Sequence, residues 1–352
     1  MLIHVHKFDW ALLIFLICIL LCGVIAIYSA STTKIGNEFQ TENYYLKQIL
    51  WIAISILIFL IVLKIPYPII DFFTIPLYVF SILLLIVVLF FPEIKGSHRW
   101  ITLGLFNIQP SELAKITTLL LLSKILSKPH IREGQILIRS FPIVILPVFL
   151  ILLEPDLGTS LVFWVILFSL LAFSRLPVFY LILIISPLIS IITSFNLFLF
   201  IIYMVLLCYL LYRMRLSLII VGSAAIVNIF IFIITPILWN SLKIYQQNRI
   251  LSFIDPMRDP FGAGYQIIQA KIAIGSGGIL GKGFLLGTQK NLNFLPEHHT
   301  DFIFSVIGEE FGFLGCIFIL IMFFLFLYKI ARSINKIKIK EMRYTIVGIL
   351  SY

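Results

Sequence analysis

The sequence predicts an all-α fold, a polytopic bundle of transmembrane helices, and three observations predict it. Of 352 residues, 61% are hydrophobic and only 12% charged, which is more apolar surface than one water-soluble core can hide. Uncharged apolar runs near the ~20 residues needed to cross a hydrocarbon layer recur along the whole chain. The basic residues crowd into alternate connections between those runs, the pattern of a chain threaded through a bilayer.

The first run, Trp10 to Ala30, is longer than a signal-peptide core and is followed by many more, so it predicts a retained helix. Further spans fall roughly at 47–63, 73–92, 111–127, 138–153, 159–173, 177–193, 197–212, 217–239 and 303–328, and another run starts near 344. With a cytoplasmic N-terminus, the inner segments collect Lys7, Lys64, Lys124, Lys128, Arg132, Arg139, Arg175, Arg213, Arg215 and the cations from Lys329 to Arg343. The short outer loops hold only Lys34, Lys47, Lys95 and Arg99. This asymmetry orients the chain by the positive-inside rule.

The segment from about 240 to 302 is then a long extracytoplasmic loop, and its own cations count little because loops of about 60 residues translocate regardless of charge. The last run has about nine residues, too few to cross, so the sequence reads as C-terminally truncated. The cysteines Cys18, Cys22, Cys208 and Cys316 lie inside apolar runs and read as packing residues. The net charge of +10 is spread over loops, which argues against nucleic-acid binding.

Polar residues at the ends of apolar runs are the first functional candidates, because lipid makes them costly unless they line a wet cavity. In GSHRWITLGLFNIQPSELAKI, residues 96–116, Ser111 follows Pro110 and is placed to cap the next helix. Glu112 and Lys115 there share one face, as a functional pair or an interfacial ion pair. EPDLGTS, residues 154–160, reads as a tight turn with a cap for the following span.

The glycine-rich GSGGILGKG stretch lacks the spacing of an ATP-binding phosphate loop and reads as turns, with backbone N–H groups available for a lipid-linked phosphate. In LPEHHTDFIF, Glu297, His298, His299 and Asp301 precede an apolar helix, but their spacing fits no standard zinc site. Asp301, at a membrane-helix start, suits proton acceptance, a divalent cation or helix capping. Glu309 and Glu310, two turns deeper, require partners if buried.

GSHRWI, QPSELAK, EPDLGTS, DPFGAGYQIIQAKIAIGSGG, GKGFLLGTQ and LPEHHTDFIFSVIGEEFG resemble, in order, the signatures of the shape, elongation, division and sporulation (SEDS) family of FtsW, RodA and SpoVE. AKIAIGSGG, GTQ and FLPEHHTDF place the chain nearer the rod-shape branch than the division branch. The resemblance implies one SEDS-type membrane domain over 1–352, and an inverting peptidoglycan glycosyltransferase that polymerises lipid II for cell elongation at the outer face of the inner membrane. Against the family's ten-helix plan, residues 177–212 read as two extra helices, an even number that preserves the outer placement of Asp301.

The resemblance makes Asp301 the catalytic or metal-associated carboxylate. It makes Arg99, Trp100, Glu112, Lys115, Lys271, Glu297 and His299 the candidate substrate-binding residues. It is compatible with a divalent cation, Mg or Mn, and with no nucleotide cofactor, since the donor carries its own diphosphate. It implies a class B penicillin-binding protein as transpeptidase partner within the elongation complex. Two other readings fit many helices and a lipid-diphosphate ligand: a lipid II flippase or transporter, and an inactive scaffold for a transpeptidase. A transporter calls for paired ionisable groups near mid-membrane, whereas the polar clusters lie at the outer edge.

Overall fold

The computed structural model describes residues 9–35, 38–92, 98–103, 106–128, 132–260, 262, 264–288 and 300–352. In chain order its helices are α1 (Trp10–Ala30), α2 (Tyr44–Lys64), α3 (Tyr67–Val88), α4 (Pro110–Leu126), α5 (Glu133–Leu153), α6 (Leu157–Phe173), α7 (Val178–Thr193), α8 (Leu197–Arg213), α9 (Leu218–Ser241), α10 (Ile244–Ile254), α11 (Tyr265–Ser276), α12 (Ile303–Ser333) and α13 (Lys340–Ser351). The strands form two short antiparallel hairpins, β1 (Thr32–Ile35) with β2 (Glu38–Thr41) and β3 (Ile101–Leu103) with β4 (Phe106–Ile108). Six helices (α1, α2, α3, α5, α9 and α12) are long and apolar enough to cross a membrane. Helices are what lipid permits, because they satisfy their backbone groups internally.

The chain folds as two compact units. The first comprises 1–64 and 239–330, and holds α1, α2, α10, α11 and nearly all of α12. Helix α2 buries none of its residues, and Leu57, Ile58 and Leu60 are more than half exposed. That surface belongs in acyl chains and makes this a multi-pass membrane protein.

The second unit comprises 65–238 and 331–352. Its core packs Leu85 of α3, Leu122 of α4, Ile151 of α5, Phe163 and Leu167 of α6 and Tyr344 of α13. Helices α7 to α9 meet around a buried polar knot. Ser190 donates to Asn228 at 2.6 Å, the Asn228 amide donates to Ser186 at 3.0 Å, and Tyr203 donates to the Ser186 carbonyl at 2.8 Å.

The helices follow the apolar runs to within three residues except at the starts of α3, α5 and α13 (Tyr67, Glu133 and Lys340 against 73, 138 and 344) and the ends of α3 and α12 (Val88 and Ser333 against 92 and 328). Helix α3 begins at Tyr67 instead of 73 because Pro66 and Pro68 set the entry, and Asp71 within it is paired with Lys124 at 2.7 Å. Helix α5 begins at Glu133 instead of 138, since the polar 133–135 segment is capped by Gln135 reaching back to the Arg132 N–H and Ile136 packs into the core. The long loop also carries regular structure, namely α10, α11 and a 3-10 turn at Pro256–Arg258.

Candidate functional site

In the second unit, Pro110 occupies the first turn of α4, where its missing N–H costs nothing. Ser111 does not cap this helix. Gln109 takes the N-cap position, and the Ser111 hydroxyl is buried with no hydrogen-bond partner among the described residues. One turn on, the Lys115 ammonium bonds Glu112 at 2.8 Å. The Tyr352 hydroxyl donates to the other Glu112 oxygen at 2.5 Å, and its ring lies 4.4 Å from the Lys115 ammonium. Lys115 is thus a buried cation, 6% exposed, fixed by a carboxylate and an aromatic face.

At the same end of this unit, the turn between α5 and α6 carries a second cluster. Asp156 caps α6, accepting from the Thr159 N–H at 3.1 Å and the Thr159 hydroxyl at 2.7 Å. Arg99 donates to the Pro155 carbonyl at 2.7 Å and approaches Asp156 at 3.5 Å. Beside them Glu154 is buried with neither oxygen hydrogen-bonded among the described residues. Burial, with the Asp156 charge adding and Arg99 opposing, pushes its carboxyl up to about 8. Trp100 is exposed at the start of the β3–β4 hairpin.

In the first unit the glycine-rich stretch is a splice onto a broken helix. Helix α12 is interrupted at Gly312, with φ +65°. There the N–H groups of Phe313 and Leu314 bond the carbonyls of Gly278 and Ile279 at 2.9 and 3.2 Å. In return the N–H groups of Lys282 and Gly283 bond the carbonyls of Glu309 and Glu310 at 2.9 and 3.0 Å. Backbones this close exclude side chains: a Cβ on Gly281, at φ +82°, would stand 2.1 Å from the Glu310 carbonyl oxygen. The N–H groups of Lys282 and Gly283 are therefore spent on α12, and those of Gly277 and Gly281 on the carbonyls of Ile274 and Gly277, so these four are not available to a phosphate.

The splice buries two carboxylates, each 1% exposed, and supplies their partners. Glu309 accepts from the Lys282 ammonium at 2.6 Å and from the Thr288 N–H and hydroxyl, both at 2.7 Å. Glu310 accepts from Ser29 at 2.5 Å and from the Gly287 N–H at 3.4 Å. With 1.5 Å per residue, Glu309 sits about 9 Å inside the start of α12, nearer its end than its middle. Asp301 lies exposed in the turn at 300–302 that leads into α12, and its carboxylate takes no capping bond from a described residue. Lys271 is exposed on α11; Glu297 and His299 lie outside the described residues. Sequence reasoning missed Lys282, Thr288, Ser29 and Tyr352 as partners; the one signal was that paired glutamates in an apolar run need donors.

A family model described as "Cell cycle protein" and covering FtsW, RodA and SpoVE matches residues 9–203 and 193–351. The chain belongs to this family. Among its relatives, peptidoglycan glycosyltransferase MrdB of Escherichia coli (strain K12) is 35% identical over 327 residues, spanning 91% of this chain and 74% of MrdB. The probable peptidoglycan glycosyltransferase FtsW of Wigglesworthia glossinidia brevipalpis is 33% identical over 93% of this chain and 76% of its own length. Among solved structures, a chain of a peptidoglycan synthase complex that coordinates polymerization and crosslinking aligns over 98% of this chain and 83% of its own, with 28% identity and TM-score 0.69. The rod shape determining protein RodA of Thermus thermophilus shares the SEDS fold, with 22% identity and TM-score 0.61 over 98% of this chain and 81% of its own.

Within the family frame, the chain offers an exposed carboxylate at Asp301 and an immobilised ammonium at Lys115. No group of three His, Cys, Asp or Glu side chains fit to hold a metal occurs among the described residues.

Proposed function

We propose that this chain is a peptidoglycan glycosyltransferase that polymerises lipid II at the outer face of the inner membrane, its N-terminus cytoplasmic. The observation that carries the reading is the 35% identity to MrdB across nearly the whole chain, in a sequence that keeps Asp301 beside the start of a membrane helix. In the reaction, the 4-hydroxyl oxygen of one lipid-linked disaccharide bonds the anomeric carbon of another. The anomeric C–O bond to the diphosphate breaks with inversion, and the hydroxyl proton passes to Asp301.

Lys115, held by Glu112 and Tyr352, offsets negative charge on the departing diphosphate. Arg99 is less free for that task because Asp156 and Pro155 already engage it. Trp100 and Lys271, both exposed, are assigned to the substrate's sugar and anionic parts. If Asp301 instead holds a Mg or Mn ion, that ion would supply Lewis-acid stabilisation of the diphosphate and the hydroxyl proton would pass to solvent. The partner is a class B penicillin-binding protein of the elongation complex, which cross-links the strands.

The test is polymerisation of purified lipid II by this chain fused to its transpeptidase partner, with and without a chelator, beside the Asp301→Ala variant. Polymer from the parent, reduced at least about a hundredfold in the variant and by chelation, supports the reading. Equal polymer from both variants removes Asp301 from the chemistry, and none from the parent favours the scaffold.

A further inference from the structure

At the end of the second unit opposite Glu112 and Glu154, a cavity of about 200 Å³ opens where α4 and α6 finish and where α5 and α13 begin. Its floor is apolar, formed by buried Leu126 and Ile136. Its wall carries Lys128, Arg175 and Lys340 against a single carboxylate, Glu133. None of these cations has an ion-pair partner among the described residues, whereas Lys124 on the neighbouring turn is neutralised by Asp71 at 2.7 Å. The positive starts of α5 and α13 are offset by the negative finishes of α4 and α6, so the excess charge there is that of the side chains.

Three exposed cations brought together at a membrane-helix boundary repel one another, and the one carboxylate beside them, Glu133, leaves an excess of positive charge. An anion offsets it. We infer that this cavity binds a phosphate ester, the headgroup of an anionic phospholipid, with Lys128, Arg175 and Lys340 around the phosphate and the acyl chains leaving over the apolar flank. Basic pockets between membrane helices suit such headgroups, and one positioned here would tie α13 to α4, α5 and α6. The inference needs only the membrane embedding of the chain and is independent of glycosyl transfer.

Native mass spectrometry of the detergent-purified full chain tests it, titrating phosphatidylglycerol against phosphatidylcholine, with inorganic phosphate as competitor. The parent retains phosphatidylglycerol in preference to phosphatidylcholine, and the triple variant Lys128→Gln, Arg175→Gln, Lys340→Gln binds it about a hundredfold more weakly, at roughly fivefold per cation. Competition by inorganic phosphate at equal concentration assigns the site to a soluble phosphate ester; failure to compete assigns it to the lipid. If the triple variant does not fold, Glu133→Gln serves instead and binds about fivefold more tightly. Unchanged affinity in the triple variant, or unchanged or weaker affinity in Glu133→Gln, overturns the inference.

Discussion

Glu154 and Glu309 are both 1% exposed, yet only one has donors among the described residues. Glu309 is wrapped by an ammonium, an N–H and a hydroxyl, the arrangement that makes a buried charge tolerable. Glu154 has no described donor and an aspartate nearby, so its folded form favours the neutral acid, with a value raised from 4.5 to about 8. The sign of the linkage follows: below 4.5 the group is protonated folded or unfolded and costs nothing. Between 4.5 and 8 the unfolded chain releases the proton while the folded chain keeps it, so stability falls as pH rises. Thermal unfolding in detergent should weaken across pH 5 to 8 with a slope near 1.4 kcal/mol per pH unit from this group, and Glu154→Gln should flatten that slope. A slope unchanged in the variant would show that Glu154 is ionised in the fold.

At the scale of elements, the break in α12 was invisible to hydropathy, because Gly312 interrupts an apolar run without changing its character. The glycines of 275–283 were visible as punctuation, but a phosphate cradle and a backbone splice need the same residues; only the long-range bonds from Gly278 and Lys282 to α12 distinguish them. The spans themselves were legible because lipid leaves the chain one solution, an apolar helix. The starts of α3 and α5 were misplaced because Asp71 and Glu133 look like loop residues until the Lys124 pair and the Gln135 cap are seen. The Glu112–Lys115 pair was legible from its spacing, while Tyr352 carried no local signal at all. The splice makes a sharp prediction. Gly281→Ala places a Cβ 2.1 Å from a carbonyl oxygen at φ +82° and should cost at least about 2 kcal/mol. Gly275→Ala, with nothing within 4 Å of its Cβ, should be neutral or slightly stabilising in its helix. Equal melting temperatures for the two variants would exclude the splice.

For the whole molecule, orientation rests on the distribution of cations, and α7 and α8 are the test of it. Each is an apolar helix of 16 or 17 residues, about 24 to 26 Å long at 1.5 Å per residue, shorter than the ~30 Å hydrocarbon layer, so a crossing needs local thinning or flanking turns at the interface. Their connections keep the rule, since Arg175 precedes α7 and Arg213 and Arg215 follow α8, and under the proposed orientation both ends of the pair are cytoplasmic. Two crossings cancel. A reporter active only outside the membrane, fused after Asp259, should therefore be active in the full chain and equally active when 177–212 is deleted. Deleting 177–195 alone leaves one crossing and should silence it, unless the remaining helices invert against their own cations. The polar knot adds an independent readout, because Asn228 loses Ser186, Ser190 and Tyr203 together on deletion of the pair. Only the Ala224 carbonyl remains to it, and a buried amide oxygen without a donor costs about 1 to 3 kcal/mol, so Asn228→Leu should stabilise the deleted chain while destabilising the full one. An active reporter in the single-helix deletion would mean that α7 does not cross, and the orientation of everything after it, Asp301 included, would have to be assigned from other evidence.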